Sequence, residues 1–205
     1  MNPDLPFSPA ADRNRGPIGD VLQQWLPPGA AVLELASGTG QHAAHLAALR
    51  PDWHWQPTES QAGALPVLAA RCAGLANVAP PCTLDVLHGP WPTRPGGWGA
   101  VFCANLVHIA PWAVTPALMH GVASLLAPQG QLVMYGPYIV DGEPLAPGNQ
   151  AFDADLRQRD PAWGLRRLAA VDEAAAAAGL QRVGRADMPA NNLMLRWRFA
   201  NSVTA

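Results

Sequence analysis

The sequence contains no lysine: all thirteen basic side chains are arginine, against fifteen acidic ones, for a net charge of −2. A nucleic-acid binder carries a basic excess or a clustered basic stripe, and this chain has neither. Cysteine is scarce, at Cys72, Cys82 and Cys103. An odd count with no C-x-x-C spacing argues against a disulfide framework or a metal role and for reduced thiols. No apolar run approaches the ~18 residues that span a bilayer. Met1 to Ala10 has neither the basic nor the apolar region of a secretory signal, so a cytoplasmic protein is expected. Charge is sparse, 14% against 49% hydrophobic, which is the composition of a folded soluble chain. Abundant Ala, Gly, Pro and Arg reads as a GC-rich bacterial coding bias and carries no chemistry.

At 205 residues the chain has the length of one α/β domain with a substantial core. Residues 1–16, polar and with three prolines by position 9, read as an N-terminal arm. Pro17 suits a first helical turn and predicts a helix to Leu26. Strand signals then fall over 31–35, 53–58, 83–86, 100–104 and 131–135, with helices over 41–49, 62–75 and 111–126. This alternation predicts a mainly parallel sheet covered by helices on both faces. The segment 136–168, rich in Pro, Gly and Asp, breaks the pattern and reads as a substrate lid with a short helix over 152–159. After a helix over 171–178, strands at 181–187 and 193–199 predict an antiparallel hairpin. A seven-stranded, mainly parallel Rossmann-like sheet ending in such a hairpin is the class I methyltransferase plan, here one domain over 1–205.

The strongest local signal is Val32-Leu-Glu-Leu-Ala-Ser-Gly-Thr-Gly40, a strand running into a glycine turn that opens a helix. Gly38 and Gly40 permit a tight turn and a close ligand approach. A dinucleotide fingerprint needs glycines where Ala36, Gly38 and Gln41 stand, and no Gly-Lys-Ser/Thr follows to make a P-loop. An acidic residue, Glu34, followed by this turn suits S-adenosylmethionine (SAM), which carries an ammonium and a sulfonium and no phosphate. Spacing agrees. Glu59 ends the second strand, where a carboxylate accepts both ribose hydroxyls. Asp85 ends the third, in reach of an adenine amino group, and Asn105 ends the fourth. Open α/β sheets bind ligands at these carboxyl ends.

The runs LELASGTGQHAAHLA, WQPTES, NLVHIAPW, MYGPYIVDGE, FDADLRQRDPAWGLR and MPANNLMLRWRF resemble methyltransferase-like protein 26 and its bacterial relatives over essentially the whole chain. The resemblance implies a class I SAM-dependent methyltransferase with S-adenosylhomocysteine (SAH) as product. It implies a donor site of Asn14, Glu34, Ser37, Gly38, Gly40, Glu59, Asp85 and Asn105, with Ala36 replacing the usual first glycine. His42, Ser60 and Val86 adjoin these positions and are counted with them. No acceptor is implied.

Methyl transfer is an in-line displacement, so the protein chiefly aligns the reactants and excludes water. His108, just past the fourth strand, is the leading candidate for a base, with Tyr135, at the end of the fifth strand, as a second catalytic candidate. For the acceptor the candidates are Tyr138, Asp153, Trp163 and Arg166 of the lid, and Asn191 and Asn192 of the hairpin turn. A small-molecule acceptor is expected, with no nucleic acid and no membrane. A protein acceptor, a non-catalytic SAM-binding protein and, less well, a dehydrogenase remain alternatives. His42 and His45 lack a further ligand, so no metal is expected.

Overall fold

The computed structural model describes residues 5–200. Helix α1 (Pro9–Trp25) precedes β1 (Ala31–Leu35), α2 (Gln41–Leu49), β2 (His54–Glu59), α3 (Leu65–Arg71) and β3 (Cys82–Thr83). Strand β4 (Trp98–Ala104), α4 (Val114–Ala123) and β5 (Leu126–Gly136) follow. The chain ends with β6 (Tyr138–Ile139), α5 (Pro147–Arg159), β7 (Arg166–Arg167), α6 (Leu168–Ala177), β8 (Leu180–Met188) and β9 (Asn192–Phe199). The main sheet has seven strands in the order β3-β2-β1-β4-β5-β9-β8. Strands β1 to β5 pair in parallel, and β9 runs antiparallel between β5 and β8. The expected α/β architecture, a seven-stranded and mainly parallel sheet with an antiparallel terminal hairpin, is the one observed.

The period of two along buried strands divides the core between the sheet's faces. Val32, Ala100 and Phe102 pack under α1 and α2 with Ile18, Leu22 and Leu46. Their neighbours Leu33, Val101 and Cys103 pack on the other face with Leu118 and Met119 of α4 and Val171 of α6. All three cysteines are unpaired. Among the described residues no helix is long and apolar enough to cross a membrane.

The N-terminal arm is corrected. Its residues from Pro9 onward are helix, because the Ser8 hydroxyl caps Ala11 N–H at 3.3 Å and Pro9 fills the first turn. Pro17 therefore lies inside α1 and does not open it. Residues 1–4 lie outside the described ones. Three other boundaries differ. The expected third strand is reduced to Cys82–Thr83, so Asp85 sits in the turn beyond it, bridged to Gly89. The helix expected over 62–75 is a 3-10 turn and the seven-residue α3. Strand β5 begins at Leu126, inside the helix expected to reach that residue. The segment expected as a lid holds α5, longer than foreseen, and the short parallel pair β6–β7.

Candidate active site

The turn after β1 is built from left-handed backbone: Ala36, Gly38 and Gly40 have φ of 52°, 56° and 74°. Glycine adopts this region freely, whereas Ala36 is held there against its preference by the surrounding bonds. Ser37 N–H donates to the Thr58 carbonyl at 2.8 Å, and Thr58 N–H donates to Ser37 Oγ at 3.2 Å. Thr58 Oγ1 donates to the Glu34 carbonyl at 2.7 Å. The loop is thus tied to β2 before any ligand enters.

Two carboxylates meet at this loop in different surroundings. Glu34 is buried under it, where Trp55 Nε1 donates to Oε2 at 2.8 Å. Burial pushes its carboxyl up to about 7, against the opposing bonds from Trp55 and Ser37. Glu59, at the end of β2, lies partly exposed and spans the two strand ends. Its Oε2 accepts Gly38 N–H at 3.0 Å, and Oε1 accepts the Ser60 N–H at 2.8 Å and its hydroxyl at 3.2 Å. Beyond β3, Asp85 accepts Leu87 N–H at 2.8 Å and pairs with His88 at 2.8 Å, which holds it below the usual carboxylate range. Val86 follows it, partly buried.

Helix α1 closes over the other side of the loop. Ser8 and Gln41 exchange hydrogen bonds of 2.6 and 3.2 Å, and the Arg71 guanidinium donates to the Pro6 carbonyl. Burial depresses His42 to about 4, so its ring is neutral and its Nε2 donates to Asn14 Oδ1 at 2.7 Å. Asn14 also bonds the Tyr135 hydroxyl, whose pKa burial raises. Asn105 completes the edge in left-handed backbone, φ 61°, with its N–H on the Tyr135 carbonyl at 2.8 Å.

Of these groups, Asn14, Asn105 and Tyr135 line a cavity of about 400 Å³. Asn105 and Tyr135 form its inner wall, Arg13 and Asn14 of α1 one side, and Asn149 and Phe152 of α5 another. Pro189 to Asn192 close the last side, where Ala190 and Asn191 take φ of 58° and 56°. Asn149 Nδ2 holds this turn through the Asn191 carbonyl at 2.9 Å. The structure therefore gathers Asn14, Asn105, Tyr135, Asn191 and Asn192 at one cavity, to which the helix that follows the Ala36–Gly40 turn is tied through the His42–Asn14 bond.

Other expected residues lie elsewhere. His108 is fully buried, below Gly136, where an added Cβ would fall 2.5 Å from Nε2. Its ring meets Tyr138 edge-on at 4.8 Å, and burial lowers its pKa to about 3. Tyr138 is likewise buried, beneath an adjoining chamber. Neither residue is on the cavity wall. Arg166 donates to the carbonyls of Val107 at 2.8 Å, Ala110 at 2.6 Å and Ala162 at 2.9 Å, bracing the turn after β4. Asp153 accepts Leu165 N–H at 2.7 Å and pairs with Arg157, and Trp163 lies under Arg159. Arg166 and Asp153 are thus engaged with backbone groups, and Trp163 with Arg159. Arg13, Asn149 and Phe152 were missed. Arg13 stands next to Asn14 in sequence, and Asn149 lies in the part of α5 expected to be loop.

Residues 5–199 match the family described as "Protein of unknown function (DUF938)". The chain belongs to the DUF938 family. Its fold recurs in solved structures. Mitomycin 7-O-methyltransferase MmcR aligns with a TM-score of 0.77 at 15% identity, over 92% of the DUF938 chain and 54% of its own. CalO1, a methyltransferase in calicheamicin biosynthesis in its SAH-bound form, aligns with 0.75 at 14%, over 93% and 54%. An O-methyltransferase family 2 protein from Planctomyces limnophilus DSM 3776, in complex with apigenin, aligns with 0.70 at 15%, over 92% and 64%. The DUF938 chain thus spans about half to two thirds of the proteins it matches. At such identities the likeness shows the fold, a Rossmann-like domain shared with SAM-dependent O-methyltransferases.

Proposed function

We propose that this protein transfers a methyl group from SAM to a small-molecule acceptor and releases SAH. The observation that carries the reading is Glu59, a partly exposed carboxylate bridging the ends of β1 and β2 beside a left-handed glycine turn. It suits a ribose with free hydroxyls, and the absence of a third glycine disfavours a dinucleotide pyrophosphate. The residues present fit the donor: Glu59 for the ribose, Asp85 for the adenine amino group, and Glu34 for the ammonium. Gly38, Gly40, Ser37, Asn14 and Asn105 shape the seat, with Ala36, His42, Ser60 and Val86 supporting it.

SAM supplies a methyl group activated on a sulfonium. The protein's part is alignment and exclusion of water, for which α1, α5 and the hairpin turn wall the cavity. Tyr135 and Asn14 present a neutral hydroxyl and amide that orient an acceptor. Buried His108, neutral down to about 3, positions Gly136 and Tyr138 under the inner wall; a direct role as base would require the segment above it to open. A cavity of about 400 Å³ has the size of a small-molecule site, which favours a small molecule over a protein side chain. Purified protein incubated with methyl-labelled SAM and a bacterial small-molecule extract is expected to yield label in a low-mass product. Label found only on protein would move the acceptor to the macromolecular class.

A further inference from the structure

The cavity between α1, α5 and the β8–β9 turn has an uneven charge. Among the described residues Arg13 is the one ionised side chain on its wall, and no Asp or Glu lines it. Among the described residues Arg13 lies within ion-pair distance of no carboxylate, while its neighbour Arg15 pairs with Asp12 at 2.8 Å. Every other arginine has a partner of its own. Arg50, Arg157, Arg159, Arg167, Arg182 and Arg185 pair with acids. Arg71, Arg166 and Arg198 bond carbonyl oxygens, and Arg94 and Arg196 lie over tryptophan rings. The charge of Arg13 is instead felt by the Tyr135 hydroxyl on the inner wall. Phe152, Pro137 and Pro189 give the rest of the lining apolar surface.

We propose that this cavity takes a small organic oxyanion, a flat apolar body against Phe152 and the prolines with a carboxylate or phosphate on the Arg13 guanidinium. The fork of an arginine matches either group bidentately, and an apolar pocket with few polar anchors fixes the orientation of the body. The inference rests on the proposed function for the meaning of the cavity, as the acceptor's seat beside the donor.

The test titrates benzoate, phenyl phosphate and neutral benzamide into the full chain, with and without saturating SAH. The oxyanions are expected to bind roughly tenfold tighter than benzamide, the scale of a charge-assisted pair. Arg13 is exposed, so Arg13→Gln leaves the fold intact; it is expected to abolish that preference and Arg13→Lys to restore part of it. SAH affinity is expected to stay within about twofold in both variants. Benzamide binding as well as benzoate would overturn the proposal. So would an Arg13→Gln variant that loses SAH instead, since Arg13 would then serve the donor's carboxylate. If SAH fails to bind the parent protein, the methyltransferase reading falls, while the oxyanion preference measured without SAH still decides this one. A preference for benzoate alone or phenyl phosphate alone would identify which oxyanion the site prefers, and both support it.

Discussion

Replacing Glu59 by alanine is expected to weaken SAH binding by roughly 30- to 100-fold while barely moving the unfolding midpoint. The carboxylate accepts from Gly38 and Ser60 at the ligand edge and packs against nothing in the core. A hydrogen bond to a charged group is worth about 1.5–3 kcal/mol. At a partly exposed carboxylate that already serves Gly38 and Ser60, the two ribose hydroxyls together are expected to contribute about as much as one such bond. Truncation also frees Gly38 N–H, so part of the loss comes from a loosened loop. Glu59→Gln separates the contributions: it keeps one acceptor for the loop and loses the charge, and should fall between parent and alanine. Calorimetry on the three proteins measures this, with urea unfolding as the control. Unchanged SAH affinity in Glu59→Ala would remove the residue from the donor site.

The second large effect is at Glu34, and it depends on pH. In the unfolded chain this carboxyl titrates near its ordinary 4.5, and in the fold near about 7. Below the lower value both states hold the proton and nothing is lost. As pH rises toward 7 the unfolded state ionises first, so the stability associated with the held proton drains away and is gone above about 7. The buried charge then costs on the order of 3 kcal/mol. Glu34→Gln keeps an acceptor for Trp55 and carries no charge. It is expected to match the parent in urea unfolding at pH 4 and to exceed it by that order at pH 8. An equal difference at both pH values would contradict the burial cause. Under the proposed function the same charge, buried beneath the loop, attracts the donor's ammonium, so the more stable variant should bind SAH more weakly at pH 8. Such a trade between stability and binding is common at functional sites.

Much of the fold was legible because its signals are local. The strand over 31–35 and the helix over 41–49 coincide with β1 and α2, where an apolar run, a glycine turn and helical periodicity follow one another. The α1 start was not, since Ser8-Pro9 and Pro17 both suit a first turn and the Ser8 cap decides between them. Strands β3, β6 and β7 have two residues each, too few to show a period.

At the candidate site, Glu59, Asn105 and Tyr135 lie at the carboxyl edge of the sheet, as expected from topology. Strand-end placement carries no information on burial: His108 follows β4 at that same edge, while its ring turns under Gly136. Burial of that kind depends on a glycine far away in sequence. The cavity is likewise assembled from residues near 13, 105, 149 and 191, a juxtaposition set by packing of α1 and α5 and carried by no motif.

The most direct test is calorimetric titration of the purified protein with SAH, SAM and NAD under the same conditions. Micromolar binding of SAH and SAM with none for NAD is the result this account requires. Binding of NAD, or of none of the three, would contradict a donor site built on Glu59 and the Ala36–Gly40 turn.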